Sequence, residues 1–228
     1  MLIENLTQHA MKHQQHRPFV VLSFAQSLDG SLAFGEGQRT HLSGKASLTW
    51  VHHLRNWADG ILIGRQTAAI DNPQLTVRLI EGKNPQRIVL DSYLRLPPEM
   101  GIFHDDQPRP IMIHCQDAAR ESIVKSQQLG CHTLACESDT LGLIPTSILR
   151  NLHQQGIKRL LIEGGAKVIS SFLAAGVVDY VAITLCPTIA LQQQTIRYAT
   201  QQKPCQVTIK NPQYLACDPD IILHGSID

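Results

Sequence analysis

The sequence predicts an α/β fold: one domain on a mixed, mostly parallel central sheet flanked by helices, with antiparallel strands at the carboxyl end. Three observations predict it. Short, continuous apolar runs recur along the chain, as strands buried on both faces do. Several of these runs alternate with segments of helical period, the pattern of a layered α/β protein. From residue 178 onward the apolar runs continue but the helical segments stop, so the final strands are expected to pair antiparallel.

The elements follow in order. Residues 1–16 place Leu2, Ile3, Leu6 and Ala10 at near-helical spacing, which predicts a short leading helix or arm ahead of one domain over 17–228. His9, His13 and His16 fall near one face of that segment. No carboxylate shares their register and terminal segments are commonly solvated, so no metal is assigned. After Pro18, "FVVLSFA" reads as a central strand, and "GILIG" (60–64), "RIVLD" (87–91), "PIMIHC" (110–115), "RLLIEG" (159–164) and "YVAITLC" (180–186) repeat the pattern. Between several of them lie "SGKASLTWVHHLRNWA", "DAARESIVKSQQLG", "TSILRNLHQQG" and "AKVISSFLAAG", which read as helices. Ser43, Asp117 and Thr146 are the expected N-caps, and Gly130, Gly156 and Gly176 the expected stops. The tail segments "DYVAITLCPTIAL", "CQVTIKNPQYLAC" and "DIILHGSID" complete the sheet.

Composition narrows the function classes. With 228 residues, 43% apolar and 17% charged, the chain suits one globular domain. Twenty basic and nineteen acidic residues leave a formal +1, which gives no field for nucleic acid. The six cysteines form no CxxC and lie partly in apolar runs, so they read as reduced core thiols of a cytoplasmic protein. No apolar run approaches the roughly 20 residues a bilayer span needs, and "MLIENLTQHAMKHQQH" lacks a signal-peptide profile, so no membrane partner is expected.

The segment "LLIEGGAKVISSFLAAG" carries the strongest chemical signal. A strand that ends in Gly164-Gly165 and turns at once into a helix presents main-chain N–H groups at a positive dipole end, suited to an anion. Glu163 adds to it, because a carboxylate at the end of a buried strand is costly without a specific partner. "GRQTAAIDNPQLTVR" (64–78) leaves a strand end and offers Thr67, Asp71 and Arg78, one wall of a crevice of the kind open α/β sheets use. "AQSLDGSLA" holds an Asp29-Gly30 turn beyond the first strand. Arg55 closes a helix, where a cation meets the dipole favourably, and Ser92 with Arg95 forms either a capped turn or a 2′-phosphate seat. "GEGQRT" lacks the third glycine of a dinucleotide fingerprint, and no GxxxxGK[ST], GxSxG or HExxH occurs.

In their order, "AQSLDG", "LSGKASLTWVHHLRNWADGILIGRQTAAIDNPQLTVR", "RIVLDSYLRLP" and "LLIEGGAKVISSFLAAGVVDYVAITLCP" resemble the reductase domain of riboflavin biosynthesis over roughly residues 18–225. That resemblance implies the dihydrofolate-reductase-like fold, NADPH as cofactor, a phosphorylated small-molecule substrate and a homodimer. Its members reduce the ribosylamino side chain of a pyrimidine phosphate to a ribitylamino one. By position it implies NADPH contacts from Ala25, Thr67, Asp71, Ser92 and the turn of Gly164, Gly165, Ala166, Lys167, Val168, Ile169, Ser170 and Ser171. It implies substrate contacts from Arg55, Leu75, Arg78 and Glu163, with Arg39 added where many bacterial members carry a substrate-side Ser. Asp71 and Glu163 are the side-chain candidates for the proton donor, and water is a third. The chain departs from the family pattern at "RTHL", where Arg39 and His41 replace a Ser and a Trp, at "DNP", where D-D-P is usual, and at "CPTIALQQQ", which lacks the usual glycines. Neither half of the deaminase zinc signature, H-x-E and P-C-x-x-C, occurs. Two other readings stay open: the same fold acting on a pterin or another small imine or carbonyl compound, and a nucleotide-binding regulator without turnover.

Overall fold

The computed structural model describes residues 2–13, 16–34, 37, 40–191 and 206–227. Helix α1 (Leu2–Lys12) precedes β1 (Phe19–Ser27), α2 (Lys45–Trp57), β2 (Gly60–Gly64), α3 (Arg65–Asp71) and β3 (Gln86–Leu90). Then follow β4 (Ile111–Cys115), α4 (Arg120–Gln128), β5 (His132–Cys136) and a small hairpin of β6 (Ser138–Asp139) and β7 (Gly142–Leu143). The remainder is α5 (Pro145–Gln154), β8 (Arg159–Gly164), α6 (Ala166–Ala174), β9 (Tyr180–Cys186), β10 (Ile209–Cys217) and β11 (Asp220–Ile227). Each apolar run forms a strand, and as these runs are buried on both faces their main-chain groups are paired with the neighbouring strands.

The nine-stranded sheet has the order β10-β11-β9-β1-β8-β2-β3-β4-β5. Strands β9 through β5 in that order pair parallel, while β11 pairs antiparallel with both β9 and β10. The mixed sheet with an antiparallel carboxyl end is thus the one the sequence predicts. Strand β8 lies between β1 and β2, which places the Gly164-Gly165 turn beside the carboxyl ends of both. One face of the sheet is covered by α1 and α2 through Leu6, Trp50, Leu54 and Trp57, and the other by α5 and α6 through Ile148, Leu152, Ile169 and Phe172. The leading segment is the helix alternative: Leu6 is fully buried, and Trp57 Nε1 donates to Thr7 Oγ1 at 3.2 Å.

Three expected N-caps are corrected. The capping positions of α2, α4 and α5 are Gly44, Ala119 and Ile144, none with a side-chain cap. For α2 the acceptor comes from across the molecule: Gly44 N donates to Asp220 Oδ2 at 2.7 Å, and Ser47 Oγ donates to the same oxygen. A carboxylate at a helix amino end satisfies orphan N–H groups and complements the dipole, which is what Ser43 was expected to do. Helix α5 opens with Pro145, which has no N–H to cap. The expected stops hold, with Gly130, Gly156 and Gly176 at φ 82°, 83° and 63° just past α4, α5 and α6.

The structure adds the seven-residue α3 in what reads as crevice wall, and β5 at the sheet edge, where its burial is shallow. The described cysteines 115, 131, 136, 186 and 217 are free and buried, while Cys205 lies outside the described residues. Among the described residues no helix is long and apolar enough to cross a membrane.

Candidate functional site

The glycine turn sits where the strand ends converge. Gly165 is the capping position of α6, at φ 84° and ψ 148°, with no side-chain cap. That conformation is essentially restricted to glycine. A Cβ on Gly165 would lie 2.6 Å from Thr67 Oγ1, so the sequence leaves room here for which any other residue would compete. Thr67, on α3, donates to Gly164 O at 3.5 Å and fixes α3 against the turn. Ala25 lies on β1, one strand over from β8, opposite Thr184 of β9. Ser92 follows β3, and its carbonyl accepts Cys115 N at 3.0 Å. Ala166, Lys167 and Ser171 are at least partly accessible on α6. Val168, Ile169 and Ser170 are instead buried, and the Ile169 N–H already donates to Gly165 O at 3.0 Å.

The Asp29-Gly30 bend closes at this same end of the sheet. Gly30 N donates to Ser27 O at 3.0 Å, and the Asp29 carboxylate accepts Ala190 N at 3.0 Å, Ser27 Oγ at 2.6 Å and Ser31 Oγ at 3.1 Å. Those donors, Ala190 N–H and the Ser27 hydroxyl foremost, hold the Asp29 carboxyl well below the usual carboxylate range.

A cleft of about 370 Å³ opens between α2 and the loop after α3, with His52, Arg55, Asn72, Leu75, Arg78 and Leu79 in its walls. Asn72 and Leu75 both take left-handed backbone, at φ 40° and 57°. For a bulky residue such as Leu75, only 2% exposed, that conformation is strained and is held by its surroundings. Arg87, 2% exposed beneath the loop, donates to both oxygens of Asp105 at 2.6 and 2.9 Å and reaches Gln74 O at 3.5 Å.

The partner that Glu163 requires is Arg55. Arg55 Nε meets Glu163 Oε1 at 2.8 Å and Nη2 meets Oε2 at 2.7 Å, a two-pronged pair between α2 and the end of β8. Nη1 donates to Thr76 O at 3.1 Å, which ties the loop to the same pair. The two side chains are 11% and 14% exposed. Burial works against the Arg55 charge, but the charge and hydrogen bonds of Glu163 outweigh it and raise its pKa. Both Glu163 oxygens are thereby engaged.

The other expected residues are placed less tightly. Asp71 ends α3, half-buried, one residue before the cleft wall at Asn72. Arg78 is exposed at the cleft. His41 is exposed, and Arg39 lies outside the described residues. Arg95 stacks over Tyr93 at 5.0 Å, and the turn that carries both is held by Asp91, whose Oδ2 accepts Leu96 N at 2.6 Å. His52 was not singled out in the sequence. It precedes Arg55 by three residues on one helix and so shares its face, a spacing that signals the cleft once Arg55 is suspected. Among the described residues no group of three or more His, Cys, Asp or Glu side chains could hold a metal; His13 instead packs on Phe19 at 5.6 Å.

Residues 18–223 match the RibD C-terminal domain family. The chain is 35% identical over 176 residues to the 2,5-diamino-6-ribosylamino-4(3H)-pyrimidinone 5′-phosphate reductase of Methanothermobacter thermautotrophicus, covering 76% of this chain and 79% of that protein. It is 32% identical over 176 residues to the riboflavin biosynthesis protein RibD of Aquifex aeolicus, of which it spans only 48%. Among solved structures, RibD of Acinetobacter baumannii superposes with a TM-score of 0.82 at 26% identity, covering 98% of this chain and 62% of that one. The riboflavin biosynthesis reductase Rib7 of Saccharomyces shares the fold over 100% of this chain and 99% of its own, with a TM-score of 0.75 at 22% identity. From the family match, the sequence identity and the common fold together, the chain belongs to the RibD C-terminal domain family.

Proposed function

We propose that this chain is an NADPH-dependent reductase that turns the ribosylamino group of an aminopyrimidine ribose phosphate into a ribitylamino group. The observation that carries the reading is an adjacency: the glycine turn that opens α6 directly follows Glu163, whose partner Arg55 lines the cleft that also holds Arg78. An anion-seating helix end and an arginine-walled cleft therefore meet at one corner, as a dinucleotide and a phosphorylated substrate would require.

The residues present fit the cofactor. The turn from Gly164 to Ser171 would hold its pyrophosphate through the main-chain N–H groups at the start of α6, with Gly165 leaving the space, and Ala25, Thr67, Asp71 and Ser92 would flank it. When bound, the cofactor supplies a hydride. In the substrate, the C1′–O4′ bond of the ribosylamine breaks, O4′ gains a proton and the nitrogen loses one, which leaves a C1′=N bond; hydride at C1′ and a proton at nitrogen then complete the amine. Arg78 would hold the phosphate. The Arg55–Glu163 pair would orient the sugar, and Asp71 or water would deliver the proton. The protein's share is chiefly orientation and electrostatics.

NADPH oxidation with 2,5-diamino-6-ribosylamino-4(3H)-pyrimidinone 5′-phosphate, or with its aminouracil counterpart, tests this reading. Arg78→Ala is expected to raise KM about tenfold or more for the phosphorylated compound, from one lost charge-assisted contact of roughly 1.5–3 kcal/mol, and to leave the dephosphorylated compound unaffected. No oxidation with either pyrimidine would remove the assignment.

The homodimer is part of the same proposal. Ile183, Leu223 and Tyr214 stand opposite one another across β9, β11 and β10, with Leu185 and Ile221 in the next row of the same face. Tyr214 is 68% and Ile221 48% exposed, an apolar sheet face of the kind that marks an interface. Light scattering is expected to give twice the 25.3 kDa chain mass, and Ile221→Lys to halve it. A wild-type monomer would exclude the pairing.

A further inference from the structure

His52 has a role that the pairing of Arg55 with Glu163 leaves unexplained. It is 2% exposed on α2, and its Nδ1 faces two main-chain donors, Arg78 N at 2.9 Å and Leu79 N at 3.3 Å. Both partners are N–H groups that can only donate. Nδ1 must therefore be the bare, accepting nitrogen, and the ring proton sits on Nε2. These two bonds join α2 to the stretch of loop that carries Arg78.

We propose that His52 is the positioning residue of the cleft: its unprotonated Nδ1 holds the Arg78–Leu79 main chain where Arg78 meets the substrate phosphate, and losing that acceptor unseats Arg78. The proposal rests on the reductase reading for the identity of the phosphate, but the link between His52 and the loop stands on geometry alone.

The charged surroundings keep the acceptor bare. The charged and titratable groups that act on the ring are Arg55 and His53 from its own helix, Arg78 from the loop and Glu163 from β8. Burial, followed by the positive charges of Arg55 and Arg78, pushes His52 down to about 4 from an ordinary 6.5, against the opposing pull of Glu163. The sign follows. The unfolded chain takes up this proton near 6.5 and the folded one near 4, so the stability tied to His52 is full above 6.5 and drains away as pH falls toward 4. The hold on Arg78 itself persists until pH approaches 4.

Three variants test it. His52→Asn places an amide oxygen near the Nδ1 position without a titratable ring, His52→Gln moves the polar group out to the Nε2 position, and His52→Leu removes it. KM for the phosphorylated pyrimidine is expected to rise about tenfold in His52→Gln and His52→Leu, with kcat within about twofold, and to stay near wild type in His52→Asn. The dephosphorylated compound should not separate the four proteins. In amide NMR spectra, the Arg78 and Leu79 protons should lose their hydrogen-bonded shifts in His52→Gln and His52→Leu and keep them in His52→Asn. They should move with acid in the wild type as pH falls below 5 and stay still in His52→Asn. An unchanged KM in both acceptor-less variants, or amide shifts indifferent to His52, would overturn the proposal. Should the wild type turn over no pyrimidine, the reductase reading falls, and the amide shifts alone decide the role of His52.

Discussion

Glu163→Ala is expected to abolish turnover and to cost about 3–5 kcal/mol of folding stability, because it strands the Arg55 guanidinium in a site where it keeps 11% of its exposure. Against the ~5–15 kcal/mol total of an ordinary domain, that loss would leave the protein marginal at 37 °C. The Arg55→Met/Glu163→Leu double variant separates the two roles. A buried ion pair replaced whole by apolar groups of similar volume often costs little, so the double variant should recover most of the lost stability and none of the activity. Urea titrations of the wild type, the single and the double variant supply the comparison. A Glu163→Ala midpoint equal to wild type would mean that the pair contributes nothing, and a double variant as weak as the single would mean that the loop anchored through Thr76 matters more than the charge balance.

The second large effect belongs to Gly165→Ala. A non-glycine residue held at φ 84° and ψ 148° costs about 1–3 kcal/mol, and the new Cβ arrives 2.6 Å from Thr67 Oγ1, so α3 or the first turn of α6 must shift. Both shifts disturb the corner proposed to seat the cofactor. We expect a lower midpoint in urea and NADPH binding weakened by about tenfold or more, measured by fluorescence titration. Thr67→Ala added to Gly165→Ala removes the contact but not the backbone strain. It should restore part of the stability. If Gly165→Ala binds NADPH as the wild type does, the pyrophosphate seat lies elsewhere.

Much of the fold was legible because its strands are apolar runs too short for most helices that alternate with segments of helical period, and the helix-free tail announced the antiparallel end. The glycine turn was legible because glycine there has a steric reason, now visible in Gly165. Other features could not be read. Helix α3 is too short for its periodicity to show, and β5 lies at an edge where its residues stay partly exposed. The acceptor at the start of α2 comes from Asp220, 176 residues away, and no local pattern announces a partner so distant. Arg55 was explicable at a helix end and also as a substrate ligand. Only the folded chain shows its Nε and Nη2 on Glu163, 108 residues on. His52 escaped notice because a buried histidine in an amphipathic helix looks like any other core residue until its ring nitrogen is seen to face two main-chain donors.

The insertion of β8 between β1 and β2 reaches beyond the site. A nascent chain of which only β1 through β5 have emerged holds β1 and β2 without the strand that joins them, so its sheet exists as separate pieces with open edges. Closure waits on contacts between segments 100 to 140 residues apart in the chain, the kind of non-local pairing that slows folding and leaves strand edges exposed in the meantime. The corner that joins the glycine turn to Arg55 comes into being at that same late moment, when the central gap is filled.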